Sequence, residues 1–176
     1  MKLINITREE WAWLAGLIDG EGTVSFYMDP GRHSNKFPQI VPYINVANTN
    51  ITLLQTIKDK TGCGAIINQK SGGFGVSPEY SKTRIWRVNT MNLCQQIIEN
   101  TSKYLIVKQY PAQQLLKFCK RKRGMYTRAD LECYENVKKF YYNIRPNPNS
   151  LTSKYYKVLK DAIMQGVDNE PKESNY

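Results

Sequence analysis

Two carboxylates near the amino terminus are the side chains whose spacing most clearly indicates chemistry. Asp19 and Glu21 alternate with glycines in the stretch Asp19-Gly20-Glu21-Gly22. Glycine commonly ends a helix, so a helix that runs into this stretch carries its acids at the negative end of the helix dipole. Acids there need a positive partner, and a divalent cation is one that carboxylate oxygens bind. The alternative is a capping turn with solvated acids.

The residues before these acids predict a helix with two apolar faces. One face is formed by Trp11, Leu14, Ala15 and Ile18, and the adjacent face by Trp13, Gly16, Leu17 and Gly20. Both sets follow the spacing of a helix surface. One face can cover the protein's own core, and the other needs a second partner. Small residues at steps of four, namely Ala12, Gly16 and Gly20, would let the backbone of that partner come close.

The composition bounds the class of protein and its partners. The chain has 176 residues and a net charge of +10, which fits one domain over residues 1–167 and a polar, disordered tail over residues 168–176. The positive charge indicates a polyanionic partner, unless it serves solubility alone. Nucleic acid fits better than a membrane, because no basic amphipathic helix and no membrane-spanning run is present.

The cysteines and the histidine argue against zinc and against a histidine triad. Cys63, Cys94, Cys119 and Cys133 form no C-x-x-C motif, so they are predicted to be reduced thiols of an intracellular protein. The chain has one histidine, His33, in a turn-rich loop.

The remaining pattern predicts an α+β fold in the order αββαββα. After the first helix come strands over residues 23–27 and 38–46, a helix over 51–60, strands over 65–70 and 83–88, and a helix over 91–100. This order predicts a curved four-stranded antiparallel sheet with helices on one face. Prolines at 38 and 42 weaken the second strand and suggest an irregular or edge stretch. Extra carboxyl-terminal helices are predicted over residues 108–122, 128–142 and 150–164.

The face of the sheet without helices is predicted to carry polar side chains. Its expected occupants are Ser25, Tyr27, Asn45, Gln69 and Arg87. A ribbon of this kind suits the major groove of DNA, whose base edges carry a distinct donor and acceptor code. Further DNA contacts are expected from Arg32, His33, Gln39, Lys70, Arg84, Lys120 and Lys122, the last two through phosphates. The alternative for each of these residues is simple solvation.

The stretch Leu14-Ala15-Gly16-Leu17-Ile18-Asp19-Gly20-Glu21-Gly22 resembles the signature of the LAGLIDADG homing endonucleases. Gly20 and Glu21 are permitted variants of its seventh and eighth positions. The signature occurs once, and the resemblance implies a homodimer formed through the helix of residues 11–20. It also implies that Glu21 binds the metal, that the backbone carbonyl of Gly20 is a second ligand, and that Asp19 has a supporting role. The metal is expected to be Mg²⁺, with Mn²⁺ or Ca²⁺ able to substitute for binding.

Two other positions match the family with less specific motifs. The segment Leu105-Ile-Val-Lys-Gln109 resembles the place where the family has a lysine near the scissile phosphate, which implies a catalytic role for Lys108. Asn48 falls where the family often has a glutamine that orients water, although asparagine is one methylene shorter. Thr52 stands where the family often has a basic residue, which is a departure.

The resemblance therefore implies a site-specific endonuclease that hydrolyses both strands of a long, pseudo-palindromic DNA site and leaves short 3′ overhangs. Such an enzyme would be intron-encoded, and its compartment would be a chloroplast, a mitochondrion or a prokaryotic cytoplasm. Two alternatives remain open from the sequence. One is a non-cleaving maturase that binds group I intron RNA, and the other is a DNA-binding module that uses the same sheet.

Overall fold

The computed structural model describes residues 6–30, 37–68, 83–121, 124–144 and 154–166. Five of the predicted DNA contacts lie outside these ranges, namely Arg32, His33, Gln69, Lys70 and Lys122. The tail predicted over residues 168–176 also lies outside the described residues.

The predicted α+β fold class and element order are confirmed. The elements are α1 (Arg8–Glu21), β1 (Gly22–Asp29), β2 (Gln39–Asn48), α2 (Ile51–Thr61), β3 (Ala65–Asn68), β4 (Arg84–Val88), α3 (Met91–Thr101), α4 (Gln109–Cys119), α5 (Arg128–Ile144) and α6 (Lys154–Met164). The four strands form one antiparallel sheet in the order β1-β2-β4-β3. The helices cover one face of this sheet. No helix in the described ranges is long and apolar enough to cross a membrane.

Alternation along the strands separates a core face from an open face. Val24, Ile44 and Trp86 point toward the helices and are fully buried in the core. Their neighbours along each strand point the other way, because successive side chains of a strand face opposite sides. The register places Ser25 opposite Tyr43, and Asn45 opposite Arg87. The open face is therefore built from the odd-numbered residues of β1, β2 and β4.

Strand β2 is longer and more regular than its prolines suggested. It runs from Gln39 to Asn48, and Pro42 lies within it opposite Phe26. Pro42 is tolerated because the ladder between β2 and β4 begins only at Ile44. The missing N–H of Pro42 therefore interrupts no hydrogen bond to β4.

The four cysteines are free and buried, as predicted. Burial raises the pKa of the Cys119 thiol to about 12, and it raises the pKa of the Cys94 thiol as well. A thiol with a raised pKa carries little thiolate, which is the form that binds metals and attacks electrophiles. These cysteines are therefore packing residues.

Helix α5 covers the outer edge of the sheet. The hydroxyl of Tyr141 accepts a hydrogen bond from the N–H of Val24 and donates one to its carbonyl, both at 3.1 Å. The amine of Lys138 donates to the carbonyl of Phe26 one step along the same edge. An uncovered edge strand offers unpaired backbone groups to other chains. These two side chains occupy the groups that a fifth strand would use.

The buried amine of Lys138 predicts a pH dependence of stability. Burial lowers its pKa to about 8, whereas an unfolded lysine titrates near pH 10.4. Between these values the unfolded chain holds a proton that the folded chain has lost, so this group makes stability rise with pH. We expect the unfolding free energy of the wild type, minus that of Lys138→Met, to increase from about pH 8 to about pH 10. Urea denaturation across this range measures it.

The matched control for this prediction is Lys139→Met, which removes an exposed amine from the same helix. The difference between its unfolding free energy and that of the wild type is expected to stay constant over the same pH range. Taking differences removes the contribution of the buried thiols, which have the opposite sign above about pH 9. A flat curve for Lys138→Met would contradict the assignment of a depressed lysine pKa.

Candidate active site at the carboxyl end of the first helix

Helix α1 is fixed at both ends and along one face. Thr7 and Glu10 form a reciprocal capping box at its start. Its buried residues, Trp11, Leu14, Ala15 and Ile18, are those predicted to face the core. This packing sets the rotation of the helix. Glu21, in the last helical position, is therefore held at the surface.

Asp19 joins the end of α1 to the segment that leads into α4. Its carboxylate accepts hydrogen bonds from the N–H groups of Ile106 at 2.6 Å, Val107 at 3.3 Å and Lys108 at 2.9 Å. The free N–H groups at the start of a helix favour such an anion. Both oxygens of Asp19 are therefore used within the chain. A supporting role of Asp19, which the resemblance implied, stays a prediction.

Lys108 is brought to the same place. Its side chain is buried, with 8% of the residue exposed, and its amine donates a hydrogen bond to the backbone carbonyl of Asp19. Burial lowers the pKa of Lys108, and the negative charges of Asp19 and Glu21 oppose that shift. A cation at the carboxyl end of a helix is stabilised by the helix dipole. Lys108 is thus a positive partner of the kind that the two acids require.

The two glycines around Glu21 have different roles. A Cβ on Gly22 would lie 2.7 Å from the Cα and from the carbonyl oxygen of Ile18, and 2.8 Å from the carbonyl oxygen of Asn45. Gly22 is therefore required where the end of α1 meets strand β2. A Cβ on Gly20 would meet no atom within 4 Å, so space within the subunit does not explain the glycine at position 20.

The backbone carbonyl of Gly20 is left without its helical partner. In a continued helix the N–H of Val24 would bond to it, but that N–H is given to the hydroxyl of Tyr141. The chain turns into β1 at Gly22. The Gly20 carbonyl and the Glu21 carboxylate are therefore neighbouring oxygen donors at an exposed helix end.

These donors fit a hard divalent cation that keeps part of its hydration shell. Among the described residues no group of three or more histidine, cysteine, aspartate or glutamate side chains could hold a metal. One subunit therefore offers one free carboxylate and one carbonyl. Mg²⁺ commonly binds through one or two carboxylates and fills its other positions with water and phosphate oxygens.

Asn48 lies at the same end of the sheet. Val46 is opposite Gly22, and Asn48 is two residues further along β2. Its side-chain oxygen accepts a hydrogen bond from the N–H of Asn50 at 2.8 Å, which shapes the entry to α2. This hydrogen bond fixes the orientation of the Asn48 amide, whose nitrogen is a hydrogen-bond donor.

The open face contains most of the predicted DNA-contacting residues that the structure describes. Tyr27, Gln39, Asn45 and Arg87 lie on it and are half-buried. Tyr43 lies on the same face and was missed by the sequence analysis. Continuing the alternation from Asn45 back by two residues would have found it.

Ser25 needs a correction. Its side chain is on the predicted face, but only 2% of the residue is exposed. It forms a hydrogen bond with the hydroxyl of Tyr43, which opposes the rise in the Tyr43 pKa caused by burial. Ser25 therefore holds Tyr43 in place and does not itself offer a surface to DNA.

Arg84 and Lys120 lie away from the open face. Arg84 has the same parity as Trp86 and Val88, so it belongs to the helix side of the sheet at the end of β4. A DNA contact of Arg84 from this position stays a prediction. Lys120 follows α4 in the helical layer, where its amine is 3.1 Å from a carboxylate oxygen of Glu99. A phosphate contact of Lys120 stays a prediction.

Comparisons with known proteins agree with this arrangement at the level of the fold. No protein-family model and no curated protein sequence matches the chain. Among solved structures, the homing endonuclease I-CvuI in complex with its target has a TM-score of 0.68 at 16% identity, covering 91% of this chain and 96% of that chain. The archaeal intron-encoded homing endonuclease I-Vdi141I complexed with DNA has a TM-score of 0.66 at 14% identity, covering 87% and 96%.

A longer structure matches over part of its length. The meganuclease I-SmaMI bound to uncleaveable DNA has a TM-score of 0.51 at 18% identity, covering 87% of this chain and 44% of that chain. These similarities agree with the resemblance noted for residues 14–22. The strand order, the position of α1 and the structural matches together show that this chain has the homing-endonuclease fold.

Proposed function

We propose that this protein is a site-specific DNA endonuclease that works as a homodimer with Mg²⁺. The observation that carries the proposal is the end of α1, where Glu21 and the Gly20 carbonyl are exposed and the buried Lys108 is held against the helix. The DNA complexes of I-CvuI and I-Vdi141I, which share the fold, support it. So does the net charge of +10.

Each residue of the site has a distinct role in this proposal. Glu21 and the Gly20 carbonyl would hold the cation beside the scissile phosphate. Mg²⁺ held there would lower the pKa of the attacking water and offset the negative charge that develops on the leaving oxygen. Lys108 would place a positive charge near the phosphate, and the amide nitrogen of Asn48 would orient water. No covalent intermediate with the protein is required. Mn²⁺ and Ca²⁺ would substitute for binding.

Two copies of the chain are needed to cut both strands, because each copy brings one Glu21. The face of α1 opposite the core offers the surface for this. Gly16 and Gly20 are exposed there, and a Cβ on either would meet no atom within 4 Å. Trp13 and Leu17 beside them are only partly buried. A self-complementary patch of this kind fits a two-fold axis, and two open faces would then form one long surface for a pseudo-palindromic site.

The lengths of the structurally similar proteins also support the dimer. This chain spans 96% of the I-CvuI chain but 44% of the I-SmaMI chain. One subunit thus corresponds to less than half of the longer meganuclease. A homodimer of this chain would supply what that meganuclease carries in one polypeptide.

Gly16→Leu is expected to convert the dimer to a monomer that still folds. A Cβ at position 16 would meet no atom of its own subunit within 4 Å, and leucine is a better helix former than glycine. The leucine side chain would, however, fill the space that the partner helix needs. Sedimentation velocity measures the mass, and circular dichroism checks the fold. Gln113→Leu, at an exposed position of α4, is the matched control. If Gly16→Leu remained dimeric, this face of α1 would not be the dimer interface.

The function is tested by selecting cleaved members of a plasmid library with randomised inserts in the presence of Mg²⁺. We expect one family of pseudo-palindromic sequences, cut on both strands with short 3′ overhangs, and no product when the metal is chelated. DNA binding without any metal-dependent product would show that the protein is a binding module. The prediction that the gene lies within an intron can be checked at the same time, because the joined exons would match the selected sequence.

A further inference from the structure

Four side chains lie together in the middle of the open face, namely Arg87, Tyr43, Tyr27 and Ser25. Arg87 is on β4, which lies between β2 and β3. The central carbon of its guanidinium is 5.3 Å from the centre of the Tyr43 ring. The Tyr43 ring is 6.0 Å from the ring of Tyr27.

Among the residues that the structure describes, Arg87 forms no ion pair with a carboxylate. In the described strands the acid on this face is Asp29, which lies opposite Gln39 at the far end of β1 and β2. The Nε atom of Arg87 is buried without a hydrogen-bond partner among the described residues. Its two terminal amino groups are the remaining donors of the guanidinium.

The tyrosine under Arg87 is itself immobilised. Its hydroxyl is hydrogen-bonded to Ser25, which is 2% exposed. The hydroxyl of the neighbouring Tyr27 accepts a hydrogen bond of 3.5 Å from the side-chain amide of Asn89. An arginine stacked on an aromatic ring keeps its planar edge free for bidentate contacts and loses less freedom when it makes them.

Two ligand groups suit that edge: a phosphate and the O6 and N7 acceptors of guanine. The position of Arg87 decides between them. It stands on an interior strand, directly opposite Asn45 on β2, so it faces the floor of a groove that the sheet occupies. Phosphates border the groove, and guanine presents its two acceptors on the floor of the major groove.

We propose that Arg87, oriented by Tyr43, reads a guanine in the major groove of each half-site. This inference rests on the proposed function, because it assumes that the open face binds DNA. It assigns specificity to one named pair of side chains and predicts a G·C base pair at a fixed position of each half-site. Tyr43 is a positioning residue, since it acts through Arg87.

The test is a binding selection from a randomised duplex library in Ca²⁺, with base frequencies compared between variants. The wild type is expected to enrich guanine at one position of each half-site. Arg87→Lys is expected to lower the preference there by about 5- to 150-fold while other positions keep theirs, because lysine cannot make the bidentate contact. Tyr43→Leu is expected to lower the guanine preference at the same position. Tyr43→Phe, which keeps the ring, is expected to retain most of that preference.

Arg128→Lys is the matched control, since Arg128 is an exposed residue of α5. It is expected to change the base preference at no position of the site. If Arg87→Lys bound all DNA sequences more weakly by the same factor, Arg87 would be identified as a phosphate contact and the proposal would be overturned. Unchanged guanine preference in Arg87→Lys would overturn it too, with the proposed function intact. A wild type that binds DNA without selecting any sequence would overturn both. Thermal unfolding confirms that each variant is folded.

Discussion

Glu21→Gln is expected to abolish DNA cleavage while DNA binding persists. Glutamine keeps the size of the side chain but removes the charge that holds the cation. Since a bound metal supplies several kcal/mol of transition-state stabilisation, we expect the cleavage rate to fall by roughly 10³-fold or more. The measurement is single-turnover cleavage of a selected target in Mg²⁺, with affinity measured separately in Ca²⁺.

The control for this experiment is Glu9→Gln, which neutralises an exposed acid in the first turn of the same helix. It is expected to cleave at the wild-type rate. Glu21 is exposed, so its replacement should leave the unfolding temperature unchanged. Cleavage by Glu21→Gln at the wild-type rate would eliminate Glu21 as the metal ligand.

Gly22→Ala is expected to cause the largest loss of stability of any single methyl group added near the site. The new Cβ would lie 2.7 to 2.8 Å from three backbone atoms, on Ile18 and Asn45. None of these atoms can rotate away, so either α1 or β2 must shift. The backbone angle φ of Gly22 is −100°, which any residue adopts, so the effect is steric. We expect a destabilisation of about 2 to 4 kcal/mol, within the range of overpacked sites.

Gly20→Ala is the matched control, because a Cβ there meets no atom within 4 Å. Chemical denaturation at low protein concentration, where the proposed dimer would dissociate, compares the stabilities of Gly22→Ala and Gly20→Ala as single subunits. We expect Gly20→Ala to unfold at the same or higher denaturant concentration than the wild type, since alanine favours helix over glycine. Equal stability of the two variants would show that α1 and β2 can separate at Gly22.

The order of elements was predictable because each segment carries a local pattern. The 3.6-residue spacing of Trp11, Leu14, Ala15 and Ile18 identified the buried face of α1, and alternation identified Tyr27, Asn45 and Arg87 as one face of the sheet. The strand order β1-β2-β4-β3 was not predictable from these patterns. Pairing depends on how helices pack over the sheet, and alternation is the same in any order.

The candidate site was predictable where a motif fixed the backbone and less so where side chains compete for partners. The motif fixed Asp19 and Glu21 at the end of α1, and the structure brings Lys108 to Asp19 there. The parity of Arg84 with Trp86 and Val88 places it on the helix side of the sheet, which alternation along the strand also predicts. The burial of Ser25 and the bond from Asn50 to Asn48 could not be read from the sequence, because they depend on neighbours across strands and turns.

The hydrogen bonds that Asp19 accepts from residues 106–108 span 87 to 89 positions of the chain. Contacts so distant along the polypeptide form late in folding, after the chain between them has become compact. A ribosome-bound or partly folded molecule would expose Glu21 while Lys108 is still elsewhere. If the proposed function holds, Glu21 and Lys108 would come together only in the folded protein, so a chain still being synthesised would not cleave DNA.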